Sequence, residues 1–283
     1  MAFTATIGYF DGVHKGHRFL IGELRRVAAE RGLRSAVITL DSHPETILSG
    51  IIKPLLTTNE ERAALLRETG IDEVFAFHFP TIRNMTAMQF MQMLKEHYKV
   101  DVLLMGYDHH FGSDQPNDFA DYVAFGAEVG LEVVAVSVSP DGEVSSSKIR
   151  KALMEGEVTR ANNMLGYAYR LAGKVVHGNG IGKTIGFPTA NILPDPVKLI
   201  PKAGVYAGLA NGHRAVINIG TNPTIGNDHL TIEAHLIDYA GDSLYGKQLL
   251  LEFEQRLRDE QQFGSMDELR VQIQEDIKNA TLR

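Results

Sequence analysis

The sequence predicts two domains of different class: an α/β domain built on a parallel sheet, then a small antiparallel β-barrel or sandwich. Three observations carry this. The chain has 283 residues, which at roughly 150 residues per domain is about two domains. Its first half alternates short apolar runs with helical patterns, as strands joined by helical crossovers do. Its second half replaces that alternation with strand-like runs separated by turn residues.

In order, Ala5-Thr6-Ile7-Gly8-Tyr9-Phe10 reads as the first strand. Phe19, Leu20, Leu24, Val27 and Ala28 then recur at helical spacing until Gly32 supplies a stop. Residues 35–40 form a buried-type strand, and 60–68 (helix), 73–77 (strand), 87–97 (helix), 102–105 (strand), 119–130 (helix) and 132–136 (strand) continue the pattern. Ligands of parallel sheets sit beyond the carboxyl ends of the strands, so the loops after Phe10, Leu40, Met105 and Val138 should converge on one site. A helical segment over 149–165 ends at Gly166, where the boundary between domains 1–166 and 167–283 is expected. Residues 171–176, 204–210, 215–219, 231–236 and 249–253 are strand-like, and Asn211-Gly212 is a hairpin turn because both of its positions need φ > 0. Ser265-Met266-Asp267-Glu268 has capping-box spacing before a last helix in which Leu269, Ile273 and Ile277 recur every four residues.

Composition narrows the function. Hydrophobic residues at 44% and charged residues at 22% describe a folding chain, not a disordered one. With 28 Lys plus Arg against 35 Asp plus Glu the net charge is −7, and no basic block gathers positive potential, so nucleic acid is not an expected partner. The absence of cysteine removes disulfides, Cys-ligated zinc, iron–sulfur clusters and thiol nucleophiles together. The amino terminus lacks the basic and apolar regions of a signal peptide and no stretch is long enough to span a bilayer, so a cytoplasmic protein without membrane contact is expected. The first strand is expected to start almost at residue 1, with no leader expected before the turn that follows it.

That turn carries the first constellation, Gly8-Tyr9-Phe10-Asp11-Gly12-Val13-His14-Lys15-Gly16-His17. A strand-to-helix turn favours bound phosphate through backbone amides and the helix dipole, and glycines let the backbone come close. His14 and His17, three apart on an incipient helical turn, fall on one side and can donate to the charge that builds on a phosphate during transfer. Read alone, each is equally an ordinary loop or cap residue. The segment resembles the HxGH signature of nucleotidyltransferases in the form carried by bacterial bifunctional riboflavin kinase/FAD synthetases. Ser42-His43-Pro44, Gly106-Tyr107-Asp108-His109-His110-Phe111-Gly112 (a flavin-side loop) and Ser145-Ser146-Ser147-Lys148-Ile149-Arg150 (a serine-rich SSTxIR motif) agree with it. The resemblance implies a Rossmann-like nucleotidyltransferase domain with His14 and His17 catalytic. It places Gly8, Phe10, Asp11, Gly12, Gly16, Asp108, Ser147 and Arg150 around the nucleotide and flavin. The sequence departs from the family at residues 113–118, where a basic residue and a glycine are usual, and at His110, where Arg is common.

The second constellation, His177-Gly178-Asn179-Gly180-Ile181-Gly182-Lys183-Thr184, is not a Walker A loop, since His occupies the first glycine position and Gly186-Phe187-Pro188 breaks any following helix. Gly180, Gly182, Lys183 and Thr184 read instead as a flexible flap over phosphates. Gly186-Phe187-Pro188-Thr189-Ala190-Asn191 resembles the G-F-P-T-A-N signature of riboflavin kinases. Thr189 and Asn191, two apart in an extended segment, offer oxygen ligands of the kind Mg2+ takes; without the resemblance the segment would read as a turn. The resemblance places Pro188 in the same nucleotide-binding stretch. Glu233, in a strand similar to the family's kinase-base strand, is implied as the carboxylate that accepts a proton from the acceptor alcohol. Asn218-Ile219-Gly220-Thr221-Asn222-Pro223-Thr224, Asp242-Ser243-Leu244-Tyr245-Gly246 and the stretch 256–263 follow further family patterns. Arg256 is a candidate on the flavin side, although by sequence it is equally a charged surface turn.

The resemblance implies a fold of nucleotidyltransferase domain plus β-barrel riboflavin kinase domain, and a bifunctional enzyme. Riboflavin and ATP would give FMN, and FMN and ATP would give FAD, with Mg2+ in both steps. Two alternatives stand beside it: a kinase whose nucleotidyltransferase half is impaired or redirected, and a flavin- or nucleotide-binding regulator without turnover. The expected partners are riboflavin, FMN and ATP, with room for a weak homo-oligomer.

Overall fold

The computed structural model describes residues 1–106, 109–116, 118–137, 139, 144–178, 180–222 and 229–282. They divide into two compact units, Met1–Ser145 and Ser146–Arg283.

The first unit contains, in order, β1 (Phe3–Ile7), α1 (Lys15–Arg31), β2 (Arg34–Leu40), α2 (Pro44–Ser49), α3 (Asn59–Glu68), β3 (Glu73–Phe77), α4 (Phe79–Ile82), α5 (Ala87–Tyr98), β4 (Val100–Gly106), α6 (Phe119–Val129) and β5 (Glu132–Val136). The strands form one parallel sheet in the order β3-β2-β1-β4-β5. The order reverses between β1 and β4, the switch point at which such sheets open a crevice beyond their carboxyl ends. Ala5, Ala36, Ile38, Leu103, Phe90 and Leu94 join one core, which is why the central strands read as continuous apolar runs. Capping explains the helix starts: Thr58 with Glu61, Thr86 with Gln89 and Asp118 with Asp121 each close a capping box. Gly32, at φ 64°, ends α1 as expected.

The first strand is shorter than the pattern suggested. It stops at Ile7 because the chain turns at Phe10, whose φ is 57°. Helices α2 and α4 were not expected; each is short and starts with a proline in its first turn, the position a proline tolerates in a helix.

The second unit contains α7 (Ser146–Glu155), α8 (Val158–Leu165), β6 (Tyr169–Val176), α9 (Ile181–Thr184), β7 (Ala190–Pro194), β8 (Gly204–Ala210), β9 (His213–Asn222), β10 (His229–Leu236), β11 (Gln248–Arg258) and α10 (Met266–Thr281). Its strands close an antiparallel barrel in the order β10-β7-β6-β11-β8-β9, which decides between barrel and sandwich. Asn211 and Gly212, at φ 48° and 81°, make the expected hairpin turn between β8 and β9. The single helix expected over 149–165 is two. Gly156, at φ 82°, breaks it, and Glu157 N donates back to Ala152 O at 2.8 Å. Helix α8 is tied to the barrel, since Asn162 Nδ2 donates to Phe253 O (2.7 Å) and its Oδ1 accepts from Tyr169 N (2.8 Å). The structural division therefore falls ahead of α7. Strand β7 was read only as an extended segment around residues 189–191. Ala280 of α10 packs with Val205, Ala207 and Val216, and Arg258 grips the buried Asp276 bidentately at 2.9 and 2.7 Å. Among the described residues no helix is long and apolar enough to cross a membrane.

Candidate active sites

The turn after β1 is a strained device held from outside. Phe10 and Val13 both lie in the left-handed region at φ 57° and 36°, beside Gly12 at 79°; non-glycine residues there are costly and persist only when their surroundings hold them. Asp11 does the holding. Its carboxylate, 2% exposed, accepts from Leu56 N (3.0 Å), Thr57 N (2.9 Å) and the Thr57 hydroxyl (3.0 Å), and that hydroxyl oxygen accepts from Gly12 N at 3.0 Å. Asp11 was expected beside the ligand; the structure turns its carboxylate onto the 56–57 backbone instead. Gly8 N likewise donates to Ile38 O at 3.0 Å, so Gly8 and Gly12 shape the turn and their amides are spent inward. A Cβ on Gly8 would press on the Phe10 ring, 3.1 Å away, and one on Gly16 would meet the His14 ring at 3.3 Å.

His14 is the N-cap of α1, and its Nδ1 accepts from His17 N at 3.4 Å. The two imidazoles stack, with centroids 3.6 Å apart and planes 18° apart, and the Phe10 ring meets His17 edge-on at 5.1 Å. The sequence therefore placed both rings on one side, as three-residue spacing requires. Burial holds the His17 imidazole well below the usual histidine range, and the neighbouring His14 adds to the effect. His17 Nδ1 is buried with no hydrogen-bond partner among the described residues.

At the same end of the sheet, His43 caps α2 by accepting from Glu45 N and packs edge-on against Tyr9 at 4.7 Å. Arg62 covers the Tyr9 ring at 4.2 Å and donates to Leu40 O (2.6 Å), although only 1% exposed. Sequence reading missed Arg62; its signal was a cation among the apolar positions of α3, next to Leu65 and Leu66. Asp108 lies outside the described residues. Beyond it, the Tyr122 hydroxyl accepts from Phe111 N and donates to Phe111 O, both at 2.8 Å. The departures at 113–118 have structural employment: Ser113 Oγ donates to Asn84 O, Asp114 accepts from Ala87 N, and Asp118 caps α6. Ser147 and the buried Arg150 lie in α7, in the second unit.

The second site is written across three barrel strands. Glu233 of β10 pairs with Asn191 of β7 and with Asn218 of β9. Ile232, Ala234 and Leu236 are buried, leaving Glu233 and His235 on the other face. The Thr189 hydroxyl donates to Glu233 Oε2 at 2.9 Å. The glycine-rich stretch folds over this group. A Cβ on Gly178 would overlap the Asn191 carboxamide, and one on Gly182 would overlap Phe187 O. Residues 181–184, expected as a loose flap, form the single turn α9, which Gly180 enters at φ 69° and which Phe187 N holds by donating to Gly182 O at 2.8 Å.

Gly180, Lys183, Pro188, Thr189, Asn191 and Tyr245 line a cavity of about 340 Å³, within the size range of small-ligand sites. His177 and Tyr245 stack at 4.2 Å beside it. Thr184 is exposed and does not line it. No group of three or more His, Asp or Glu among the described residues could hold a metal by itself. The Thr189 hydroxyl and the Asn191 carboxamide oxygen are nevertheless hard donors of the kind Mg2+ takes, and they would fit it.

Arg256 is not part of this group. It donates to Ala203 O (2.7 Å) and Asp259 (2.6 Å) and lines a separate open hollow of about 540 Å³ with Gly156, Thr159, Arg160 and Asn163. The strand β11 simply carries it to the α7–α8 side of the barrel. Glu260, which the sequence marked only as part of the 256–263 pattern, has its carboxylate against Gly220 close to the Asn218 side chain. Residues 223–228 of the Asn218 loop, and Asn179, lie outside the described residues.

Residues 2–149 match the FAD synthetase family and residues 165–282 the riboflavin kinase family. The chain is similar to three bifunctional riboflavin kinase/FMN adenylyltransferases. That of Listeria monocytogenes is 35% identical over 95% of this chain and 88% of its own, and that of Escherichia coli 36% over 96% and 89%. That of Haemophilus influenzae is 37% identical over 97% and 92%. Among solved structures it is similar to a Streptococcus pneumoniae protein described as a macrolide-efflux protein. There the TM-score is 0.88 at 28% identity, over 100% of this chain and 95% of that one.

Proposed function

The chain belongs to the bifunctional riboflavin kinase/FMN adenylyltransferase family, which makes FMN from riboflavin and FAD from FMN with ATP, and from that premise we propose how its residues divide the two steps. The enzyme is both a phosphotransferase and a nucleotidyltransferase.

For the kinase step, Glu233 accepts the proton of the riboflavin 5′-hydroxyl as its oxygen bonds to the γ-phosphorus of ATP and ADP leaves. The observation that carries this is the 2.9 Å contact from Thr189 to Glu233 beside Asn191. It brings a base and two neutral oxygen donors together, with Gly178 and Gly182 packed against them. Thr189 and Asn191 would hold Mg2+, which when bound neutralises phosphate charge. Lys183, Gly180, Gly182 and Pro188 form the nucleotide side; for Thr184, outside the cavity lining, the assignment rests on the motif match. Arg256 lines a separate hollow, and its assignment to the flavin side rests on the motif match.

For the adenylyl step, the FMN phosphate attacks the ATP α-phosphorus and pyrophosphate leaves. His14, whose Nδ1 accepts from His17 N, and His17, which burial keeps neutral, are the imidazoles set against the phosphates. First-turn amides of α1, Gly16 included, add to these donors. Phe10, Asp11, Gly8 and Gly12 fix the turn. For Asp108, Ser147 and Arg150 the proposal rests on the motif match. The functional division is 1–166 for adenylyl transfer and 167–283 for phosphoryl transfer. The reading places the enzyme in the cytoplasm, with self-association weak at most.

One assay tests it: riboflavin, ATP and Mg2+ are supplied and FMN is resolved from FAD by chromatography. Both products are expected. Glu233→Ala should lose FMN formation yet convert supplied FMN to FAD, and a His14→Ala/His17→Ala double variant should do the reverse. Loss of both activities in either folded variant contradicts separate sites.

A further inference from the structure

Strand β7 pairs with β10 only as far as Ala190, opposite Ala234. One step further along the register Thr189 faces His235, and there Pro188, which has no N–H, ends any continuation of the ladder. Side chains of β10 take over. Glu233 and His235, two apart and on one face, reach the incoming segment at successive residues. Glu233 accepts from the Thr189 hydroxyl, and His235 Nδ1 lies 2.9 Å from Pro188 O. The Phe187 ring meets the His235 ring edge-on at 5.6 Å, and Phe187 N in turn holds α9 through Gly182 O. His235 is thus joined to the segment 187–189 on which both α9 and Thr189 depend.

We propose that His235 is a positioning residue for phosphoryl transfer: it locks Pro188 so that Thr189 is presented to Glu233 and to the phosphate side of the cavity. The proposal rests on the assignment of Thr189 and Glu233 to the kinase step. Because a carbonyl oxygen can only accept, Nδ1 must carry the hydrogen, which makes Nδ1–H the required neutral tautomer and leaves Nε2 without a part in the contact. The geometry also selects the substitute. An asparagine amide nitrogen falls near the position of Nδ1, whereas that of glutamine falls near Nε2.

The full-length enzyme is assayed for FMN formation while Mg·ATP and riboflavin are varied separately. His235→Ala should raise the KM for Mg·ATP about 3- to 10-fold, the worth of one hydrogen bond, with the KM for riboflavin changed less than about twofold. His235→Asn should restore the Mg·ATP value and His235→Gln should not. Conversion of supplied FMN to FAD should stay at the wild-type rate in all three. An unchanged KM for Mg·ATP in His235→Ala, equal rescue by Gln and Asn, or a parallel rise in the riboflavin KM overturns the proposal. A wild-type enzyme that makes no FMN overturns the kinase assignment instead. Independent of activity, nitrogen NMR of the wild-type protein reads the tautomer of His235: hydrogen on Nδ1 supports the lock and hydrogen on Nε2 alone refutes it.

Discussion

Replacing Asp11 by asparagine tests whether the turn after β1 is held from outside. The carboxylate uses Oδ2 for Leu56 N and Oδ1 for Thr57 N and the Thr57 hydroxyl. An asparagine keeps an acceptor toward Thr57 but must aim its amide hydrogens at Leu56 N. One charge-assisted bond, worth about 1.5–3 kcal/mol, is lost and a buried donor is stranded at about 1–3 kcal/mol, so about 2.5–6 kcal/mol is at stake. The left-handed Phe10 and Val13 hold about 1–3 kcal/mol of strain each, so the loss is of the size that lets the turn relax. Since about 1.4 kcal/mol is tenfold, FAD formation from supplied FMN should fall by at least about 50-fold. FMN formation from riboflavin should be unaffected. Thr57→Val should have a smaller effect in the same direction, and the double variant should fall short of the sum, because the two residues act through one contact. If Asp11→Asn keeps wild-type FAD formation, the anchor is dispensable. If it loses activity while Thr57→Val is silent and the effects add, Asp11 acts on the ligand directly and the anchoring argument is wrong.

The depressed pKa of His17 sets a sign. Folding keeps the imidazole neutral while the unfolded chain takes up a proton near pH 6.5, so stability from this group is present above that pH and is lost as pH falls below it. The melting temperature of the first unit should drop below pH 6.5, less steeply in His17→Asn, and an NMR titration showing a normal His17 pKa would refute this. Gly182→Ala should suppress FMN formation, because the new methyl meets the Phe187 backbone oxygen, whereas Gly186→Ala, with open space around it, should cost only the strain of φ 90°; kinase rates and melting curves separate the two. Asp276→Asn removes the buried partner of Arg258 and should destabilise the second unit by about 3–5 kcal/mol in denaturant melts, without slowing FAD formation from supplied FMN.

What the sequence disclosed and what it withheld follow one physical line. Hydrophobic period and turn chemistry are local, so the alternation of the first unit, the Asn211-Gly212 hairpin and the Ser265 cap could all be read before folding, and the His14–His17 stack needed only the geometry of one helical turn. Glu233 and Thr189 lie 44 residues apart, and no local rule joins them; only the resemblance did, and the barrel register supplies the contact. The partners of two other expected site residues were hidden for the same reason. Asp11 looks like a ligand residue inside a glycine-rich turn, yet its partners are 45 and 46 residues away. Arg256 stands two residues before Arg258 on one strand, and a single bulge in the β11–β8 pairing between them helps decide that the first turns toward Gly156 while the second grips Asp276. Arg62 was hidden by its own helix, where a cation in an apolar stripe reads as an error of pattern until Leu40 O and the Tyr9 ring are brought over it. In each case the residue type announced chemistry, and only a long-range contact decided which groups of the chain that chemistry meets.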